Sequence, residues 1–456
     1  MSASNVVDVH TFLDARPIGR QQWRVIVLGL LILVLDGFDT MMMGFIAPAL
    51  IQDWGLQRQV LGPLMMSGLV GLSLGSLCAG PLADRLGRRW VIILSVAFFG
   101  FWSLACAFAQ DLTMLTLARL LTGVGLGATM PNITTLLAEC APLRRRSTLV
   151  TSTWCGFGLG GALGGLLSEY LIEDYGWQAV FVAGGVLPLL LAVALLALLP
   201  ESLRFMIQAG KPQAQIVAAI NALAPGTADA RTQAISTEHS DLGKARQGLG
   251  SVLKGPYRLG SLMIWLAMFA GFLNLYLLSN WLPITAQSAG MTLSQAALIG
   301  AVLQLGGAVG DFSVGLKMDR WEQNNVVSLM FAGSAAMSLL IAIWAGHAWA
   351  LYVLVFSLGY FMMSANAGCF ALATNFYPTA IRATGVSWVF GIGRTGAILG
   401  AGAGALMMGW NWSITHIFLF LCLPSLIAVI AIQCKRLCAL RAPSTTAVSN
   451  VPDDER

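Results

Sequence analysis

The sequence predicts an all-α membrane protein with twelve transmembrane helices in two pseudo-symmetric halves of six. Three observations carry that expectation. Hydrophobic residues make up 57% of the 456-residue chain and charged residues only 10%, where soluble domains carry roughly 25% charged residues. The apolar residues gather into runs long enough to cross a bilayer, at roughly 20 residues per span. A short motif also recurs: Gly80-Pro-Leu-Ala-Asp84-Arg85 is matched by Gly315-Leu-Lys-Met-Asp319-Arg320, with the two aspartates 235 positions apart (319 − 84).

Six spans fit before residue 200, at about 24–50, 59–82, 90–109, 113–139, 148–172 and 178–199. Residues 200–257 follow as a linker with Lys211, Asp229, Arg231, Glu238, Asp241, Lys244 and Arg246 among Pro and Gly, a solvated stretch with room for short helices. Six more spans fit at about 258–283, 291–316, 326–346, 348–375, 382–409 and 413–434. The expected organisation is therefore an N-terminal segment (1–23), a six-helix bundle (24–199), the linker (200–257), a second bundle (258–434) and a tail (435–456). Beyond Arg441 the tail is rich in Ser, Thr and Pro, a composition that predicts disorder.

Basic residues orient the chain. Arg16, Arg20, Arg24, Arg85, Arg88, Arg89, Arg144, Arg145, Arg146, Lys317, Arg320, Arg382, Lys435 and Arg436 all fall on one side of the twelve-span scheme. The opposite connections hold Asp53, Asp111, Glu173 and Asp174, with Arg58 the only basic residue. Both termini and the linker are then expected to be cytoplasmic. The N-terminus lacks the basic-then-apolar pattern of a cleaved signal peptide, so span 1 is expected to remain. Pro142 and Arg146 match Pro378 and Arg382 at an offset of 236, so the repeat extends to spans 5 and 11. Parallel repeats of this kind occur in transporters, with the site between the halves near the midplane.

Composition also excludes several classes. The net charge of +5 comes from loops flanking the spans, and no aromatic-basic motif points to nucleic acid. Eight cysteines form no CxxC pair, and the histidines (His10, His239, His347, His416) are widely separated. Neither metal ligation nor any cofactor is expected, and no nucleophile-base constellation suggests an enzyme.

Charge inside the apolar runs is the functional signal. Asp36 and Asp39 stand three residues apart in span 1, on neighbouring turns of one helical face. Ionised carboxylates near a bilayer centre cost roughly 2.5 to 3.5 kcal/mol each, so they call for partners or a water-filled cavity. A proton or substrate path is the default reading, and a structural pair satisfied by neighbouring helices the alternative. Arg119 in span 4 and Asp311 in span 8 are further buried charges. Arg394 lies twelve residues past Arg382, as Asp36 lies twelve past Arg24, so both sit roughly 18 Å from the basic ends of their spans at 1.5 Å per residue.

Gly80-Pro-Leu-Ala-Asp84-Arg85-Leu-Gly87-Arg88-Arg89 resembles the signature loop between helices 2 and 3 of the major facilitator superfamily. Arg119 with Gly123, Gly125 and Gly127, the glycine-rich run from Gly156 to Gly165, and Pro200-Glu201-Ser202-Leu203-Arg204 strengthen the likeness. Within that superfamily, Asp36-Gly37-Phe38-Asp39-Thr40 with Ala47-Pro48 resembles the span 1 signature of aromatic acid:proton symporters. Phe376-Tyr377-Pro378-Thr379 through Trp388, with Gly391-Ile-Gly393-Arg394, agrees with it. Asn366-Ala367-Gly368-Cys369 departs from the amide-rich turn expected in span 10, and Asp311 is an addition.

The resemblance implies a bacterial inner-membrane carrier that takes up a hydroxybenzoate-type acid with protons, as a monomer, by alternating access. 4-Hydroxybenzoate, protocatechuate and gallate are all compatible. The rival expectations are an efflux pump or carrier of another organic acid or sugar, and an aromatic-acid sensor. Arg394 is expected to bind the substrate carboxylate, because a guanidinium fork suits it; pairing with a neighbouring acid or carbonyl is the bland alternative. Asp36, Asp39 and Arg119 are assigned to proton coupling. Asp311, Trp154, Tyr276, Asn274, Gln304, Asn366 and Trp388 are expected to contact the ring or its hydroxyls, although lipid-facing packing is open for each. Gly80, Asp84, Arg85, Gly87, Arg88 and Arg89, with Asp319, Arg320 and Arg382, are expected to gate the cytoplasmic side.

Overall fold

Backbone N–H and C=O groups find no water inside a bilayer, so apolar runs of this length are stable there only as helices or closed barrels. The computed structural model shows helices, and it describes residues 6–8, 18–142, 146–223, 233–235, 252–253, 257–344, 348–377 and 379–441. The first half comprises α1 (Arg20–Trp54), a 3-10 turn (Arg58–Leu61), α2 (Gly62–Leu86), α3 (Arg88–Cys106), α4 (Leu112–Cys140), α5 (Arg146–Tyr175) and α6 (Trp177–Leu198). The linker contributes two short helices, α7 (Leu203–Gln208) and α8 (Gln213–Leu223). The second half comprises α9 (Tyr257–Ser288), α10 (Leu293–Arg320), α11 (Gln323–Trp344), α12 (Ala348–Phe376), α13 (Thr379–Gly409) and α14 (Ile414–Arg441). Among the described residues, twelve helices are long and apolar enough to span a membrane.

Local chemistry sets several of the ends. Asp111 accepts the Met114 amide at the start of α4, and Thr292 with Gln295 forms a capping box on α10. Gly55 ends α1 in the left-handed conformation that a Cβ disfavours. At 35 residues α1 is about 52 Å long, well beyond a hydrocarbon core of roughly 30 Å, so it runs past the predicted span at both ends. α14 likewise continues to Arg441. A three-residue parallel pairing of Val6–Asp8 with Gln233–Ile235 lies outside the spans and leaves the fold all-α; β-branched Val6, Val7 and Ile235 suit extended backbone. The tail after Arg441 lies outside the described residues.

Packing repeats the internal duplication. In the first half α1 packs on α5, α2 on α4, and α3 on α4 and α6. In the second, α9 packs on α13, α10 on α12, and α11 on α12 and α14, the same scheme six membrane-spanning helices later. Pro48 in α1 and Pro283 in α9 are again 235 positions apart. The α1–α5 contact is close because both helices offer glycine. A Cβ on Gly160 would lie 1.9 Å from the Val34 carbonyl oxygen, and one on Gly37 would lie 2.0 Å from that of Phe157. Small residues allow this approach, which replaces the hydrophobic drive that lipid cannot supply.

The halves meet through α2 with α13, α5 with α10, and α1 with α9. These contacts crowd the end opposite the arginine-rich loops. There a Cβ on Gly62 would lie 2.8 Å from Ala405, one on Gly44 would lie 2.2 Å from the Ser279 carbonyl, and Ser294 donates to Glu169 at 2.6 Å. Toward the basic end a Cβ on Gly80, Gly315 or Gly391 meets nothing within 4 Å. The halves therefore part toward the basic end. Gly160→Leu is expected to abolish the monodisperse peak on detergent size-exclusion chromatography, whereas Gly80→Ala leaves it in place.

Candidate functional site

Asp39 and Arg119 form a closed ion pair inside the first half. Arg119 Nη1 donates to Asp39 Oδ2 at 2.8 Å and its Nη2 to the Asp39 carbonyl at 3.1 Å. Ser103 on α3 donates to the remaining Asp39 oxygen at 2.8 Å. The pair is sealed, with Asp39 at 0% and Arg119 at 3% exposure, so each charge depends on the other. Phe181 lies beneath the guanidinium, 6.0 Å from ring centroid to Cζ, and Gly68 lies alongside it.

Asp36 is equally buried but differently served. Thr40 donates to its Oδ1 at 3.3 Å, while Oδ2 has no hydrogen-bond partner. The two aspartates thus diverge: Asp39 turns into its own half, and Asp36 turns toward the second. Arg394 and Tyr276 of the second half both stand within electrostatic range of Asp36. Arg394 also crosses to α2, with Nη1 donating to Ser76 Oγ and, at 3.4 Å, to the Leu72 carbonyl. A water-sized cavity of about 20 Å³ lies alongside, bounded by Thr40, Gly68, Leu72, Arg119, Tyr276 and Asn280.

The other predicted contacts separate. Gln304 sits between the halves on Gly161, 1% exposed, with both amide atoms unpartnered. Asn274 bonds the Leu421 carbonyl and Ser425 within the second half, both at 2.9 Å, and so faces away from the interface. Asn366 donates to the Met362 carbonyl at 2.9 Å and lies against Gly271, leaving its Oδ1 unpartnered. Trp388 stacks on Trp265 at 5.8 Å and is 37% exposed. Asp311 is half-buried on α10. The side chains of Trp154, Asp84 and Arg382 lie outside the described set.

The basic end of the first half is tied together by two carboxylates. Arg88 Nε lies 3.7 Å from Glu139, and Glu139 accepts from Ser202 Oγ at 2.5 Å. Glu201 accepts the backbone amides of Arg89 at 3.2 Å and Ser202 at 2.9 Å, capping the exposed N-terminus of α3. Burial holds the Glu201 carboxyl above the usual carboxylate range, against the pull of these amides and of Arg88. Gly87 has φ +92°, and a Cβ there would strike Glu201 and Phe205. Arg89 Nη2 donates to the Leu196 carbonyl at 2.6 Å. Arg85, Asp319 and Arg320 are exposed at the same end of the molecule.

The pattern of the Major Facilitator Superfamily matches residues 29–346 and 264–451. The chain belongs to this superfamily. It is 42% identical to the 4-hydroxybenzoate transporter PcaK of Pseudomonas putida, over 96% of this chain and 97% of that protein. It is 43% identical to a gallate transporter of Pseudomonas putida, over 97% and 98%. Among solved structures it resembles the inward open conformation of the xylose transporter XylE from E. coli, with TM-score 0.72 at 17% identity, over 90% of this chain and 95% of that one. That last likeness concerns the fold alone.

Sequence reasoning missed Ser103, Ser76, Glu139 and Ser202 as partners of charge. Glu139 carried a usable signal, as an acid at the end of span 4 among loop arginines; the serines carried none, because their role depends on which helices meet. Asp39→Asn and Arg119→Met each leave a buried charge unpaired, which costs roughly 3 to 5 kcal/mol. In thermal unfolding of purified protein, both single variants are expected to melt well below the parent, and the double variant to recover a substantial part of the loss.

Proposed function

We propose that the chain is a proton-coupled importer of an aromatic carboxylate of the hydroxybenzoate class, working by alternating access in the bacterial inner membrane. One observation carries the reading. A guanidinium of the second half, Arg394, stands within electrostatic range of a buried acid of the first, Asp36, in a chain akin to proteins named for 4-hydroxybenzoate and gallate transport. A single chain supplies both halves, so the working unit is one copy. The arginine-rich end is taken as cytoplasmic by the positive-inside rule, which makes the present conformation inward-open.

The two aspartates then divide their work. Asp39 already has a cation and serves as the fixed partner that positions Arg119. Asp36 has one oxygen without a hydrogen bond and is the proton acceptor. While Asp36 is ionised it competes for Arg394; once protonated it releases the guanidinium to a substrate carboxylate, which a planar fork can hold with two parallel bonds. Tyr276 and Gln304 stand where a ring and its hydroxyls would meet polar atoms. The cluster of Arg88, Glu139, Glu201 and Ser202 latches the basic ends of α3, α4 and α7, and its rearrangement accompanies closure at that end.

Uptake of labelled 4-hydroxybenzoate, protocatechuate and gallate by cells expressing the chain is expected to show accumulation of at least one acid that collapses with a protonophore. Uptake of none of the three, or uptake indifferent to the protonophore, rejects the proposal. Arg394→Lys, which keeps the charge but loses the fork, is expected to raise the KM for that acid about tenfold or more. Asp36→Asn is expected to stop uptake driven by a pH gradient while still exchanging labelled for unlabelled acid in preloaded vesicles.

A further inference from the structure

Asp311 is a half-buried acid that the Asp36–Arg394 mechanism leaves unused. Its Oδ1 is enclosed and has no hydrogen-bond partner, while the residue as a whole is only half-buried. Among the described residues no cation acts on it. Of the elements packed against α10, α5 offers the Cys155 thiol, and α12 offers Tyr360, which already holds Lys317 with Ser313; no described charge on α1, α9 or α11 reaches Asp311.

Its place is set by a ladder. Along the antiparallel α5–α10 contact, Gly165 faces Ala301, Gly161 faces Gln304 and Gly158 faces Ala308. The next rung toward the basic end is Cys155 with Asp311, and beyond it Gly315 meets open space. Asp311 therefore stands where the closed part of the seam ends.

The repeat reaches the same place independently. Ser76 and Asp311 are 235 positions apart, the offset of Asp84 and Asp319. Gly158 and Arg394 are 236 apart, the offset of Arg146 and Arg382. In the α2–α13 seam, Arg394 donates to Ser76. In its mate, the position of Ser76 holds an acid and the position of Arg394 holds a glycine. One seam thus keeps a cation at the level where the halves part, and the other keeps an acid with no cation beside it among the described residues.

We propose that Asp311 is a second proton-binding site, loaded while the α5–α10 seam is shut around it and emptied where the halves part, so that two protons accompany each carboxylate. The inference rests on the reading of the chain as a proton-driven carrier. Closing the basic end draws Asp311 into a seam where no described cation meets it, so closure selects the neutral acid. Parting of the Gly165, Gly161 and Gly158 rungs on the other side places Asp311 at the floor of the opposite vestibule, where it reloads. A bound anion in the same vestibule repels the ionised acid and favours its protonation, which ties proton to substrate.

The test uses the purified full chain in proteoliposomes, with labelled 4-hydroxybenzoate, protocatechuate or gallate, whichever the cells accumulate. With two protons per anion one positive charge enters per cycle, so a potential of −100 mV alone drives about 50-fold accumulation; with one proton it drives none. The parent is expected to accumulate acid under potential alone. Asp311→Asn is expected to lose that accumulation and still respond to an inward pH gradient with the potential clamped at zero. A parent indifferent to potential overturns the inference whatever the variant does, as does an Asp311→Asn protein that remains potential-driven. Should Asp311→Asn fail to fold, the charge moved per substrate, read from the parent's reversal potential, decides alone: one net charge supports the second site and zero overturns it. Absence of any aromatic-acid uptake by the parent overturns the carrier reading and this inference together, whereas pH-driven but potential-insensitive uptake overturns only this one.

Discussion

Charge that cannot reach water is the constraint around which this molecule is built. Arg119 and Asp39 neutralise each other at near-zero exposure, and that pair locks α1 to α4 while Ser103 ties it to α3. An unpaired charge there would be expensive enough to threaten the fold. The pair therefore fixes the rotation of α1, and that rotation decides what its neighbour does. With Asp39 turned inward to Arg119, Asp36 is directed toward the second half, where it meets the field of Arg394. Helix geometry thus lets a structural ion pair in one half direct a second buried acid to the boundary between halves.

The twelve helices, their pairing and the duplication were legible in the sequence because the bilayer leaves the backbone few choices. Apolar runs had to be helices, and the recurrence of Gly80–Arg85 at Gly315–Arg320 fixed how the two sets correspond. What could not be read was rotation. Three residues apart on a helix is near enough to one turn to suggest a shared face for Asp36 and Asp39, yet the roughly 60° by which three residues fall short of a full turn is enough to send one toward Arg119 and the other toward Arg394. The distinction lies in which helices surround α1, information held in the packing of distant segments. Asn274 illustrates the same limit. Its amide type suggested a hydroxyl contact, and its actual bonds to Leu421 and Ser425 arise because α9 presents that face to α14.

Loop chemistry was half legible for a related reason. The arginines after span 2 were expected to gate, but the carboxylates that engage Arg88 and Arg89, Glu139 and Glu201, come from the end of α4 and the start of the linker. Gly87 shows why the loop reads Leu-Gly-Arg. Its backbone takes a conformation closed to ordinary side chains, and the space a Cβ would need is filled by Glu201. The glycine lets a carboxylate sit on the first amides of α3, and the same carboxylate links the loop to the linker that joins the halves.

Duplication with divergence gives the architecture its direction. Two equal halves with identical seams would move identical charge in each, and nothing would distinguish anion from proton. Here Arg394 has a glycine mate and Asp311 a serine mate, so the seams differ in sign at equal depth. An aromatic carboxylate is an anion at neutral pH, and an inside-negative potential opposes its entry by about 2.3 kcal/mol per 100 mV. One proton cancels that opposition and leaves only the pH gradient to drive uptake. A carrier that must gather a dilute acid gains most by recruiting the potential as well, and under the proposed roles an acid in the seam opposite the guanidinium is a physical means of doing so without disturbing the carboxylate.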